Sequence, residues 1–240
     1  MIAFFALLGL IFGSFGSVLV SRLPEGESIG GRSRCPHCGM TLRVLSLIPV
    51  LSYIIQRGRC RECEARIAWL YPTLEMTSAL LFVIGLMIST SFLGALLQAL
   101  ILWTLLLIAV VDAQTQTIPD GLNLLLCTLG VLMVFHRGSV DLLALLVGTG
   151  FLGIQWLLSH GRWVGSGDVF LMLGLGLIFP SVAEIIITLM VAYSIGAIVA
   201  VILLMMKRTK LESSVAFGPF IVMGASATMI VGDDLMKLFM

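Results

Sequence analysis

Charge is what this chain has least of. Its 240 residues carry 14 Lys+Arg and 13 Asp+Glu, 11% in all, against 59% hydrophobic residues and a mean hydropathy of +1.12. A soluble fold could not cover that much apolar side chain, so a soluble domain is excluded and a polytopic membrane protein is expected. Other absences narrow the reading further. There is no long low-complexity tract and no strong internal repeat. No basic segment precedes the apolar stretch from Met1 to Val20, and no convincing small-residue cleavage site follows it. That stretch therefore reads as a retained first transmembrane helix rather than a signal peptide. No glycine-rich loop of the soluble cofactor-binding type follows a strand, so spacing alone points to no nucleotide-derived cofactor.

Apolar runs of spanning length can be drawn eight times, at about 1–21, 72–91, 92–112, 119–135, 139–159, 168–182, 184–206 and 216–237, the sixth being short. The expected fold is an all-α membrane helix bundle of about eight transmembrane helices. The basic residues orient it. The polar segment from Arg22 to Leu70 holds 8 of the 14 Lys+Arg. If it is cytoplasmic, alternation also places Arg162, Lys207, Arg208 and Lys210 inside, and only Arg137 and Lys237 outside. The positive-inside rule thus favours eight spans with both termini outside. On this topology Asp112 ends the third span going inward and Asp168 begins the sixth going outward, so both carboxylates reach the same cytoplasmic face.

A carboxylate at the edge of a bilayer is costly and is usually kept for an ion path, a proton path or chemistry. Asp168 closes the sequence Gly165-Ser166-Gly167-Asp168. The two glycines remove side chains around Ser166 and let another backbone approach. Two carboxylates close together do not readily both ionise, so one keeps a proton. The ionised member can then take a proton from water while the protonated one hydrogen-bonds a scissile carbonyl. Residues alone leave two alternatives open: that each aspartate is a helix cap, or that the two line the ion or proton path of a transporter.

Four of the five cysteines form two C-x-x-C pairs, Cys35/Cys38 and Cys60/Cys63, separated by 21 residues in the polar segment. Two such knuckles complete a tetrahedral zinc site, and a site closed by four thiolates is structural rather than catalytic. Redox pairs or free thiols are the alternatives, and a membrane scaffold whose zinc loop binds a partner is the functional counterpart. His37 reads as a spacer. Between the knuckles Val44 to Ile55 is apolar and is expected on the membrane surface or against the bundle. Gly9 and Gly13 form a G-x-x-x-G face for close helix packing. Cys127 reads as an apolar filler. Glu75 and Asp120 read as helix N-terminal acids, and Glu75 could also face a polar cavity. His136 and His160 read as interfacial residues.

The ordered set of segments resembles a known family. Gly165-Ser166-Gly167-Asp168 resembles the GxGD signature of membrane aspartyl proteases, and Asp112 with Ile118-Pro119-Asp120 resembles the partner motif of type IV prepilin peptidases. Similar to the same family are Gly13-Ser14-Phe15 to Arg22-Leu23-Pro24, the two C-x-x-C pairs, Ile48-Pro49-Val50-Leu51-Ser52-Tyr53, Arg57-Gly58-Arg59-Cys60, Tyr71-Pro72 with Glu75, and Phe217-Gly218-Pro219-Phe220. Three departures stand out: Gly16-Ser17 stand where Leu-Asn is usual, Phe170 where a lysine is frequent, and Glu64 where glycine is common. The resemblance implies a bacterial inner-membrane enzyme. It would remove short basic leader peptides from prepilins or pseudopilins at the cytoplasmic face, for type IV pili or protein secretion. It would then methylate the new N-terminus with S-adenosylmethionine, an activity associated with the N-terminal half. Asp112 and Asp168 would be the catalytic pair, supported by Gly165 and Gly167, and Cys35, Cys38, Cys60 and Cys63 would hold zinc. The chain would divide into a first helix (1–21), a cytoplasmic zinc-binding and methyltransferase-associated segment (22–70) and a peptidase bundle (71–240). Its partners would be the lipid bilayer and a prepilin with its own transmembrane helix, with no nucleic acid.

Overall fold

The computed structural model describes residues 1–206 and 215–239. Lys207, Arg208 and Lys210, used in the charge count, lie outside the described residues, and so do the side chains of Asp233, Asp234 and Lys237. Among the described residues the chain is helical. The helices are α1 (Ile2–Arg22), α2 (Leu51–Ile55), α3 (Leu70–Met87), α4 (Phe92–Thr115), α5 (Asp120–Arg137), α6 (Leu142–Ser159), α7 (Ser166–Ile178), α8 (Val182–Met205) and α9 (Gly218–Phe239). Six of them, α1, α3, α4, α5, α6 and α8, are long and apolar enough to cross a membrane. Apolar α7 and the first part of α9, Gly218–Gly232, are shorter. The 13 residues of α7 span about 20 Å at 1.5 Å per residue, less than the roughly 30 Å hydrocarbon core. Gly165 precedes it at one end, and Pro180 follows shortly after the other. Helix α9 has non-helical backbone at Val231. The chain forms two compact units, Met1–Ala99 and Leu100–Met240.

In the N-terminal unit α1 packs on α3. Side chains at Gly9 and Gly13 would collide with α3: a Cβ would lie 2.5 Å from the Ala79 and Glu75 Cα atoms respectively. The G-x-x-x-G face thus brings two backbones together, where dispersion contacts replace a hydrophobic driving force that lipid does not supply. Phe5 and Phe82 are fully buried, with Phe12 5.2 Å from Phe82 between ring centroids. The polar segment that follows is held by local bonds. The Arg22 guanidinium donates to the Ser28 and Gly30 carbonyls at 3.0 and 2.6 Å. A 3-10 turn (Val44–Leu47) leads to α2, and Val44, Leu45, Leu51, Ile54 and Ile55 present apolar side chains outward.

In the C-terminal unit α7 packs against α5 and α6, α6 against α8, and α8 against α9. Small residues again set the contacts. A Cβ at Gly176 would lie 2.7 Å from the Leu145 Cα, and one at Gly130 would lie 2.8 Å from the Leu177 Cβ. Helix starts follow local chemistry. The Asp141 carboxylate accepts the Leu143 and Ala144 N–H groups, and Ser181 and Glu184 cap α8 reciprocally. Asp120 is the first residue of α5, as the sequence suggested. Glu75 differs from expectation. It lies beyond the first turn of α3, and its carboxylate is engaged by other segments. Arg137, at the end of α5, donates to the Ile178 and Leu177 carbonyls at 2.7 and 3.4 Å. It thereby satisfies the last turn of the short α7, where a cation also suits the helix dipole.

Candidate active site

Asp112 and Asp168 belong to the same compact unit, and each is held by a backbone N–H at a helix start. Asp112 sits one turn before the end of α4 and is 4% exposed. Its Oδ2 accepts the N–H of Gly218, the first residue of α9, at 2.9 Å. Asp168 is the third residue of α7 and is 7% exposed; its Oδ2 accepts the N–H of Gly165 at 3.1 Å. The capping role considered from sequence is therefore real for Asp168. It leaves further acceptor positions on the carboxylate, since an ionised carboxylate has about four lone-pair sites. The two carboxylates interact electrostatically with each other.

Ile118 joins the two sides. A Cβ on Gly167 would lie 3.1 Å from the Ile118 Cβ, and one on Gly218 would lie 3.3 Å from its Cδ1. The loop after Asp112 thus wedges its isoleucine between the glycine before Asp168 and the glycine that binds Asp112. A side chain at either position would have to displace Ile118 or the Asp112 carboxylate. Asn123, buried in α5, donates from Nδ2 to the Gly167 carbonyl at 3.1 Å and ties the start of α7 to α5. Tyr193 donates to the Gln155 carboxamide at 2.9 Å, and its ring lies 4.9 Å from that of Phe217. Of these residues, sequence reasoning singled out Gly167 and quoted the segments holding Ile118 and Gly218, but gave no role to Asn123, Tyr193 or Gln155. A polar residue inside an apolar run was the available signal, because in lipid such groups bind another helix.

The four cysteines come together in the N-terminal unit. Their sulfurs all lie within 4.8 Å of one another, and Cys35 Sγ and Cys63 Sγ are 3.8 Å apart. A tetrahedral zinc with Zn–S bonds of about 2.3 Å requires sulfurs about 3.8 Å apart, so the set fits that ion. Each knuckle is pinched by an isolated bridge, Arg34 with Thr41 and Arg59 with Arg66. The two turns share one hydrogen-bond pattern. Cys35 N–H bonds the Met40 carbonyl and Gly39 N–H the Cys35 carbonyl, as Cys60 bonds Ala65 and Glu64 bonds Cys60. Gly39 has φ +70, and Glu64 holds the equivalent left-handed position at φ 57. The Glu64 departure thus falls where backbone geometry favours glycine. Backbone N–H groups of Cys38 and His37 pull the Cys35 thiol down to about 6. The Ala65 N–H favours the Cys63 thiolate, but desolvation and the neighbouring thiols outweigh it and push that thiol up to about 12. Four thiolates at this separation need a cation among them.

An all-helical membrane protein with two buried carboxylates brought within electrostatic reach, and a separate four-thiol knuckle, has the parts of a membrane hydrolase. Comparison with known proteins supplies the family. Residues 7–89 match the Bacterial Peptidase A24 N-terminal domain, and residues 99–201 match the Type IV leader peptidase family. A prepilin leader peptidase/N-methyltransferase of Burkholderia pseudomallei (strain 1026b) is 33% identical over 99% of this chain and 87% of its own. Proteins of the same name from Aeromonas hydrophila and Bacillus subtilis (strain 168) are 28% and 29% identical, covering 98% and 100% of this chain and 92% and 98% of theirs. No solved structure matches. The chain belongs to the type IV leader peptidase family.

Proposed function

We propose that this protein is a membrane aspartyl endopeptidase that removes basic leader peptides from prepilins or pseudopilins, with Asp112 and Asp168 as its catalytic pair, and then N-methylates the product. The carrying observation is the pair itself: two buried carboxylates in electrostatic reach, each oriented by a backbone N–H and separated by glycines and one isoleucine. In the reaction one carboxylate is ionised and takes a proton from the attacking water. The other is protonated and hydrogen-bonds the scissile carbonyl, stabilising the tetrahedral intermediate. It then passes its proton to the leaving amine. The pair titrates as a unit, so the two roles belong to the dyad. The N–H of Gly218 and that of Gly165 fix the oxygens that do not react. The chain has the spans of a multi-pass membrane protein. The basic segment between α1 and α3 supports a cytoplasmic active site in a bacterial inner membrane.

Cys35, Cys38, Cys60 and Cys63 would hold a structural zinc ion that clamps the polar segment and leaves no open position for chemistry. S-adenosylmethionine would supply an electrophilic methyl group. In the N-terminal unit the fully buried Ser78 hydroxyl of α3 has no hydrogen-bond partner and is a polar group that such a ligand would satisfy. The test is cleavage of prepilins in lipid, read by mass with and without S-adenosylmethionine. Wild type releases the leader and adds one methyl mass. Asp112→Asn and Asp168→Asn, folded and zinc-loaded, each lose at least about 10²–10⁴-fold in cleavage, the contribution of a positioned acid or base. Cleavage by either variant at the wild-type rate would refute the assignment.

A further inference from the structure

Glu75 is a buried carboxylate that the peptidase chemistry does not use. It is 9% exposed, and its Oε2 accepts the Val50 N–H at 2.7 Å. The Ser14 hydroxyl of α1 lies within interaction range of the same carboxyl group. Both groups are neutral, and among the described residues no cationic side chain pairs with Glu75. Arg22, the last residue of α1, is committed to the Ser28 and Gly30 carbonyls.

The donor from Val50 is obtained at a cost. Val50 has φ 59 and ψ −48 and is the centre of a γ-turn in which the Leu51 N–H reaches the Pro49 carbonyl at 2.5 Å. A β-branched residue is rarely found there, and such strain persists where surrounding structure or function holds it. The effect of the turn is to aim one N–H at Glu75. On the facing helix Gly13 passes with no side chain, leaving its backbone against the Glu75 Cα. One turn along α3, the Ser78 hydroxyl is fully buried and uncommitted. A buried carboxyl with neutral donors and no cation is costly to ionise, and an arriving cation removes that cost.

We propose that Glu75 receives the α-ammonium group of the newly exposed pilin N-terminus and accepts its proton in methyl transfer; this rests on the methyltransferase reading above. The ammonium binds the carboxylate, and one N–H bond breaks as its proton moves to the carboxylate. The freed amine lone pair forms a bond to the methyl carbon of a sulfonium donor. The carbon–sulfur bond breaks, its electron pair stays on sulfur as a neutral thioether, and the product is a secondary ammonium. Charge is conserved: carboxylate, ammonium and sulfonium become carboxylic acid, methylammonium and thioether.

The test uses the full-length protein in lipid nanodiscs, wild type and Glu75→Gln, which keeps the size of the group and an acceptor for Val50. Mature-pilin peptides carrying either a free or an acetylated N-terminus are titrated without methyl donor. Cleavage, methylation and S-adenosylmethionine binding are measured in parallel. Wild type should prefer the free amine by at least tenfold. Glu75→Gln should lose that preference and at least 100-fold in methylation, while keeping leader removal and S-adenosylmethionine binding within threefold. Undiminished methylation by the variant overturns the inference, and so does parallel loss of S-adenosylmethionine binding, which would place the methyl donor on Glu75. If the variant does not fold, the wild-type preference still decides: equal binding of free and acetylated peptides overturns the proposal. Wild type that cleaves but methylates no pilin defeats the underlying methyltransferase reading, a result visible without any variant.

Discussion

Gly218→Ala probes the proposed catalytic geometry more sharply than deletion of an aspartate. Gly218 gives its N–H to Asp112 at 2.9 Å, and a Cβ there would lie 2.6 Å from Oδ2 and 3.1 Å from Cγ of the same carboxylate, and 3.3 Å from the Ile118 Cδ1. Ordinary carbon–oxygen contacts are longer, so the carboxylate must move by several tenths of an ångström and lose part of its hydrogen bond. A hydrogen bond to a charged group is worth about 1.5–3 kcal/mol, and about 1.4 kcal/mol is a factor of ten in rate. The expected loss is therefore about 10–100-fold in kcat/KM for leader removal. A misplacement of about 1 Å in other active sites has a similar effect. Overall stability should change little, because Gly218 has no positive φ and the displaced atom is the end of a side chain. The assay is prepilin cleavage by mass beside a thermal melt in the same detergent. Activity within twofold of wild type would refute the reasoning, and so would a melt collapsing in step with activity.

The zinc knuckles make two further predictions. Glu64→Gly removes left-handed strain and should favour the folded knuckle by about 0.5–1 kcal/mol, slowing zinc transfer to a competing chelator about 2–5-fold; faster transfer would contradict the reading. Zinc affinity should fall as pH drops through about 6, because protons then compete for the Cys35 thiolate, which the fold favours above that pH. An affinity constant from pH 8 to pH 5, measured by competition titration, would rule out thiolate ligation. In the C-terminal unit, Arg137→Met leaves the Leu177 and Ile178 carbonyls without their donor and should destabilise the protein by about 1–3 kcal/mol, with faster hydrogen exchange in the last turn of α7. Unchanged exchange at Gly174 to Ile178 would count against this capping role.

What the sequence determined by itself was whatever depends on one segment at a time. Apolar runs announced the helices because a chain in lipid must satisfy its own backbone, and their length in residues converts to a length in space. The knuckles followed from cysteine spacing, and Asp120 at the start of α5 from short-range capping. The resemblance named Asp112 and Asp168 before their surroundings were known. The tertiary structure decided who supports them. Gly218 lies 106 residues from Asp112, Asn123 lies 44 from Gly167, and Arg137 lies 41 from Ile178. Each contact uses a backbone N–H or C=O, which every residue carries and no composition reveals. Glu75 shows the limit most clearly. Read along its own helix it is an acid near an N-terminus; only the strained turn at Val50, 25 residues earlier, shows that another segment holds its carboxyl group. Local propensity is written residue by residue, whereas the direction in which a distant N–H points exists only once the helices have packed.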